Sequence, residues 1–68
     1  MSTDRKRLTM RLKALRAERG LTQKALAKKV GITREHLARL EAGQHDPPLS
    51  TLTRLAKALK VKVANLLG

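Results

Sequence analysis

The sequence predicts a compact all-α domain of five helices, on three observations. Apolar residues recur at three- and four-residue steps through Leu8, Leu12 and Leu15, and again through Leu49, Leu52, Leu55, Ala56 and Leu59, the period of a helix with one buried face. Between these runs, Gln23 to Glu41 reads as two short helices joined by a tight turn, with Ala25, Leu26 and Ala27 before Gly31 and Ile32, Leu37 and Leu40 after it. Glycine and threonine punctuate the chain where helices should stop and start: Gly20 then Thr22, Gly31 then Thr33, and Gly43. With 68 residues the chain is a single domain, 1–68, around one small core.

The elements follow in order. Residues 1–7 carry Asp4, Arg5, Lys6 and Arg7 without an apolar anchor, so they are read as a basic arm or the frayed first turn of a helix. Such a segment is either a solvated tail or an arm that adds phosphate contacts. Leu8 to Arg19 is the first amphipathic helix, with Arg11, Lys13, Arg16 and Arg19 on its other faces and Gly20 as a left-handed cap. Thr22 caps the second helix and leaves Gln23 at its positive end, a good place to hold a phosphate. Lys24, Lys28 and Lys29 form a solvated face that adds to the field without needing to touch a ligand.

Two helices that cross steeply bring their backbones close, so Ala27 leaves room and Gly31 takes positive φ; bulk at either place is expected to pry them apart. Thr33 caps the third helix. Inward-pointing Leu37 and Leu40 turn Arg34, Glu35, Ala38 and Arg39 outward, and Glu41 closes the helix. Residues 42–48 form a loop in which Gly43 ends that helix, and either Asp46 or Ser50 caps the fourth. Val61, Val63, Leu66 and Leu67 continue the apolar surface through a short last helix. A chain this small cannot hide all of its last apolar residues, so Val63, Asn65, Leu66 and Leu67 are the candidates for a symmetric dimer patch.

Sixteen Lys and Arg against five Asp and Glu give a formal net charge of +11, which makes polyanions the natural partners. Aromatic residues are absent, so single-stranded nucleic acid has no stacking platform and duplex is the better fit. The absence of cysteine excludes disulfides and thiolate metal sites. His36 and His45 lie on different segments with no third ligand, so neither a metal nor another cofactor is expected. No apolar run approaches a membrane span and the N-terminus has no apolar signal core, which points to a soluble, cytoplasmic protein. No Gly-rich phosphate loop, nucleophile arrangement or room for a substrate pocket supports an enzyme or a small-molecule substrate.

Arginine donates two parallel bonds to guanine O6 and N7, a match worth roughly 1 to 3 kcal/mol of discrimination, so Arg34 and Arg39 are the base-reading candidates. Glu35 either accepts from a cytosine amino group or orients Arg39 four residues on, the second being the better fit to its spacing. Thr22, Gln23, Thr33, His36, Gln44 and His45 are the candidates for holding the DNA backbone.

The runs LTQKALAKKVGIT, LARLEAG and LTRLAKALKV together resemble the lambda-repressor-like helix-turn-helix family, also called the XRE or Cro type, from about Leu8 to Leu67. The resemblance implies that Gln23 anchors the second helix to DNA backbone and to neighbouring recognition residues. It also implies an ion pair between Glu41 and Arg16, worth several kcal/mol if partly buried and little if exposed, and pairing of two copies through the C-terminal end. Two positions depart from the family pattern. Pro48 stands where a capping Ser or Asn is usual, and Lys60 stands where Gly is common, so Lys60 must either adopt positive φ or let its helix continue.

These readings make the chain a sequence-specific, double-stranded DNA-binding transcriptional regulator, a homodimer on a palindromic operator. Two other readings use the same features. The fold also serves protein-interaction modules, such as antitoxins or bridging coactivators, although this chain has little length beyond its five helices. The charge also suits a non-specific nucleic-acid binder, but Glu35 on the recognition helix would only weaken indiscriminate phosphate binding.

Overall fold

The computed structural model describes the backbone of residues 2–67 and the side chains of residues 5–67. Its five helices are α1 (Ser2–Glu18), α2 (Gln23–Val30), α3 (Arg34–Glu41), α4 (Leu49–Leu59) and α5 (Val63–Leu67). α1 packs on α3 and α5, α2 on α3 and α4, and α4 on α5, so the α2–α3 pair is backed by α1 and α4, which α5 bridges. Every helix commits at least one leucine to the centre. Leu12, Leu26, Leu37, Leu55, Leu59 and Leu66 are all fully buried, each contributing about 1.5 to 3 kcal/mol of apolar burial in a core without aromatics.

That core claims Leu66, at 0% exposure, and so removes it from the proposed dimer patch. The five-residue α5 has one inward position, and Leu66 fills it against the common cluster. Leu49 departs from expectation in the opposite sense. The helical period puts it on the apolar face of α4, yet it is 70% exposed, because as the first residue of α4 it stands at the outer end of the stripe.

The first helix is longer than its apolar period implies. Residues 2–7, expected as an arm or frayed turn, continue α1 toward the N-terminus, while Met1 lies outside the described residues. The stretch is fastened at Arg5, whose guanidinium bonds both carboxylate oxygens of Asp46 at 2.8 and 2.6 Å. Asp46 is therefore engaged with α1 and does not cap α4. Ser50 lies inside α4, and Pro48 occupies the N-cap position with no side-chain bond, its carbonyl accepting from the Thr51 and Leu52 N–H groups. Proline serves there because its fixed φ suits the extended residue that precedes a helix.

At Gly31 the backbone is left-handed, φ 84°, and the Ile32 N–H donates to the Ala27 carbonyl. A Cβ there would meet nothing nearer than an Arg54 nitrogen at 3.8 Å, so conformation, not room, demands glycine. Room matters instead at Ala27, which is buried. Lys60 resolves its own alternative by adopting φ 59° and ψ 42°. The Val61 N–H reaches the Ala56 carbonyl and the Lys60 N–H reaches that of Lys57, the closing pattern that glycine usually supplies.

Arginine closes the helix ends as well. The last orphan carbonyls of a helix need outside donors. Arg16 donates to the Leu21 carbonyl beyond α1, Arg54 to Val30 at the end of α2, and Arg5 to Gly43 beyond α3. Arg19 donates to Leu59 at the end of α4 and Arg11 to Asn65 in α5. In α2, α3, α4 and α5 a carbonyl within the helix or just past its end thus accepts from a guanidinium elsewhere in the chain, whereas the Leu21 carbonyl beyond α1 accepts from that helix's own Arg16.

Candidate nucleic-acid interface

The first turns of α2 and α3 are built alike. The Thr22 hydroxyl accepts from the Ala25 N–H and the Thr33 hydroxyl from the His36 N–H, both at 3.0 Å, with extended backbone at each threonine. These caps satisfy one amide each and leave the other first-turn N–H groups as donors at the positive helix end. Both threonines are exposed.

Behind α3 lies a buried polar network. Glu41, 4% exposed, accepts from Arg16 Nε at 2.6 Å and Nη2 at 3.1 Å, and from Gln23 Nε2 at 2.9 Å. Its side chain is 3% exposed and that of Arg16 20%, so the pair is partly buried and bidentate. A carboxylate in the last turn of a helix is disfavoured by the dipole, and the guanidinium offsets this. Glu41 thereby joins α1, α2 and α3 at one point. Gln23 is half-buried and its amide nitrogen is engaged in this network, leaving its amide oxygen and the α2 terminus as the polar groups nearest the surface.

With its C-terminal end so fixed, α3 presents its outer face. Leu37 and Leu40 are buried, while Arg34, Glu35 and Arg39 are exposed. The four-residue spacing does not bring Glu35 to Arg39. Its nearest cation is Arg34, at 3.9 Å with both side chains more than half exposed, a contact too long and too wet to hold a fixed geometry. The helix therefore leaves both arginines able to follow a ligand.

The structure brings His36 and His45 together although they come from a helix and a loop: their rings meet edge to face with centroids 5.6 Å apart. Gln44 and Asp46, flanking His45, are exposed. Among the described residues no group of three or more His, Cys, Asp or Glu converges as a metal site would need. No described helix is long and apolar enough to cross a membrane.

Two features were missed in the sequence. Lys24 and Lys28 line a shallow depression with Ala27, Ile32 and Arg34, so they border the outer face of α3. Their four-residue spacing, which puts them on one edge of α2, was the available signal. The Arg5–Asp46 pair spans 41 residues and had none.

At the C-terminal end, Leu67 is 47% exposed and Val63 half-buried. Asn65 is exposed, but its Oδ1 accepts from the Lys62 N–H at 3.1 Å and so caps α5.

Two short helices crossing at a glycine turn, with capped first turns and a cationic outer face, define a DNA-binding helix-turn-helix. The helix-turn-helix family model matches residues 12–66. An immunity repressor protein of Bacillus phage phi105 is 45% identical over 58 residues, 85% of this chain, and the chain spans 40% of that relative's length. An HTH-type transcriptional regulator of Archaeoglobus fulgidus is 38% identical over 56 residues, 82% of this chain and 80% of the relative. Among solved structures, the restriction-modification controller protein C.AhdI of Aeromonas hydrophila superposes with a TM-score of 0.89 at 33% identity, covering 94% of this chain and 97% of that one. The chain belongs to the helix-turn-helix family of DNA-binding transcriptional regulators.

Proposed function

We propose that the chain binds one double-stranded DNA sequence by laying α3 in the major groove, and regulates transcription by occupying that site. The observation that carries this reading is the contrast between the two sides of α3. Its inner side and C-terminal end are locked by leucines and by the Arg16–Glu41–Gln23 network, while Arg34 and Arg39 stand outward without a firm internal partner. A rigid helix with two exposed guanidiniums suits bidentate reading of guanine. Thr22, Thr33, the α2 terminus and the 44–45 segment then hold phosphates and fix register, with His36 beside His45.

Repression by occupancy agrees with the phage repressor among the relatives. The protein acts as a homodimer on a two-fold site, paired through the exposed side of α5, where Val63 and Leu67 supply apolar surface and Asn65 a polar rim. It works in the cytoplasm, and its activity is binding rather than catalysis.

The test is selection from a random duplex pool at moderate salt, repeated with Arg34→Ala and Arg39→Ala. The expected result is an enriched palindrome, with each variant relaxing preference at one position of each half-site by roughly 1 to 3 kcal/mol. Enrichment of no sequence, with affinity that tracks ionic strength alone, refutes the reading.

A further inference from the structure

The segment between α3 and α4 holds Gln44, His45 and Asp46 on the surface, yet neither the His45 nor the Asp46 N–H bonds another backbone group among the described residues, and Pro47 has no N–H to offer. It is bounded by a left-handed Gly43, whose N–H and that of Gln44 still close α3, and by the stiff Pro47–Pro48 pair. What holds the intervening residues comes from another helix. Arg5 Nη1 donates to the Gly43 carbonyl at 3.2 Å, while its Nε and Nη2 grip the Asp46 carboxylate at 2.8 and 2.6 Å. One guanidinium thus brackets Gln44 and His45 from both sides.

The bracket is also packed. The Arg5 methylenes and the Thr9 methyl lie 3.7–4.0 Å from where a Gly43 Cβ would stand, and the Thr9 hydroxyl donates to the Lys6 carbonyl within α1. The pair shifts both partners as such geometry should. The hydrogen bonds that Arg5 donates hold the Asp46 carboxyl below its ordinary range, and the same bonds, accepted by Asp46, raise the pKa of the Arg5 guanidinium.

Asp46 is otherwise difficult to account for. A carboxylate beside residues that contact phosphates works against binding by simple electrostatics, and this chain has only five acidic residues to place. We infer that Arg5 and Asp46 form a clasp that positions Gln44 and His45 for the DNA backbone, making Arg5 a positioning residue for DNA binding. The inference rests on the reading of this segment as a phosphate contact. Loss of the clasp leaves the segment to be ordered at the moment of binding, which lowers affinity without changing which bases are read.

The clasp and plain electrostatics predict opposite signs for one substitution. Removing the Asp46 charge should tighten binding if only the field matters and weaken it if the clasp matters. The experiment measures affinity of the wild type, Arg5→Ala, Asp46→Ala and the double variant for the selected duplex across a salt series, at a temperature where circular dichroism shows each variant fully folded.

The expected result is that both single variants bind several-fold more weakly. The double variant is no weaker than either, and all share one salt slope and one sequence preference. Tighter binding by Asp46→Ala overturns the clasp. So does a slope reduced by about one in Arg5→Ala with Asp46→Ala neutral, because Arg5 would then be touching phosphate itself. A wild type that selects no duplex refutes the function, whereas a selective wild type with either of those outcomes refutes the clasp alone.

Discussion

Arg16→Ala tests the framework that holds α3. It deletes the two charge-assisted bonds to Glu41, at 2.6 and 3.1 Å, and the bond to the Leu21 carbonyl, but leaves the Glu41 carboxylate with 3% exposure and only Gln23 as a donor. Stranding a buried charge costs about 3 to 5 kcal/mol. The remaining Gln23 bond and the partial exposure of Arg16 reduce this to roughly 2 to 4 kcal/mol. A domain of this length has only about 3 to 10 kcal/mol of total stability, so the melting temperature should fall by about 10 to 25 °C. Glu41→Gln strands the guanidinium instead, which is 20% exposed and keeps the Leu21 carbonyl, so its cost should be nearer 1 kcal/mol. With no Trp or Tyr in the chain, unfolding has to be followed by far-ultraviolet circular dichroism. A loss below about 1 kcal/mol in Arg16→Ala would show that the network is solvated and that its burial does not anchor α3.

Lys60→Gly should raise stability by roughly 0.5 to 1 kcal/mol, a few degrees in a thermal melt, because a lysine holds the left-handed position that glycine occupies without a Cβ clash. An unchanged or lowered melting point would show that the lysine contributes something its backbone strain conceals. Leu66→Ala should cost about 2 to 5 kcal/mol of folding stability, whereas Leu67→Ala should change monomer stability by less than about 0.5 kcal/mol and act on self-association instead. Sedimentation equilibrium of Leu67→Ala against wild type separates the two effects, and identical association constants would move the dimer contact away from this end.

Local features were legible in the sequence wherever a residue's role depends on its neighbours a turn away. Thr22 and Thr33 cap as their composition implies, and Gly20, Gly31 and Gly43 sit at left-handed helix ends. Of the set expected outward from inward Leu37 and Leu40, Arg34, Glu35 and Arg39 are exposed while Ala38 is half-buried. What failed were statements about partners. Periodicity cannot decide whether α5 turns Leu66 or Leu67 inward, because five residues make little more than one turn and both are apolar. The charge run at residues 4–7 reads as a basic arm or a frayed first turn because nothing nearby marks Arg5 as the partner of a carboxylate 41 residues away. His36 and His45 read as unrelated because the sequence places the turn at Gly43 but not the path of the loop after it, which brings the two rings together.

The cationic excess divides by chemistry. Each ion pair among the described residues uses arginine, through Arg5, Arg16, Arg19 and Arg34, and each helix end closed by a side chain from elsewhere is closed by a guanidinium. A planar fork can satisfy a carboxylate and a carbonyl together, as Arg5 and Arg16 do, whereas an ammonium is a strongly hydrated point charge that gives up more water for less geometry. Lysine supplies field; arginine supplies field and architecture. In a core built from leucine without aromatics, guanidinium stitches take over part of the task of fixing helix ends. Arg34 and Arg39 differ from those structural arginines only in that α3 points them away from any carbonyl or buried carboxylate. The same side chain that ties the other helices together is left open on α3, the helix proposed to meet DNA, so rigidity behind α3 and freedom in front of it serve that proposed role together.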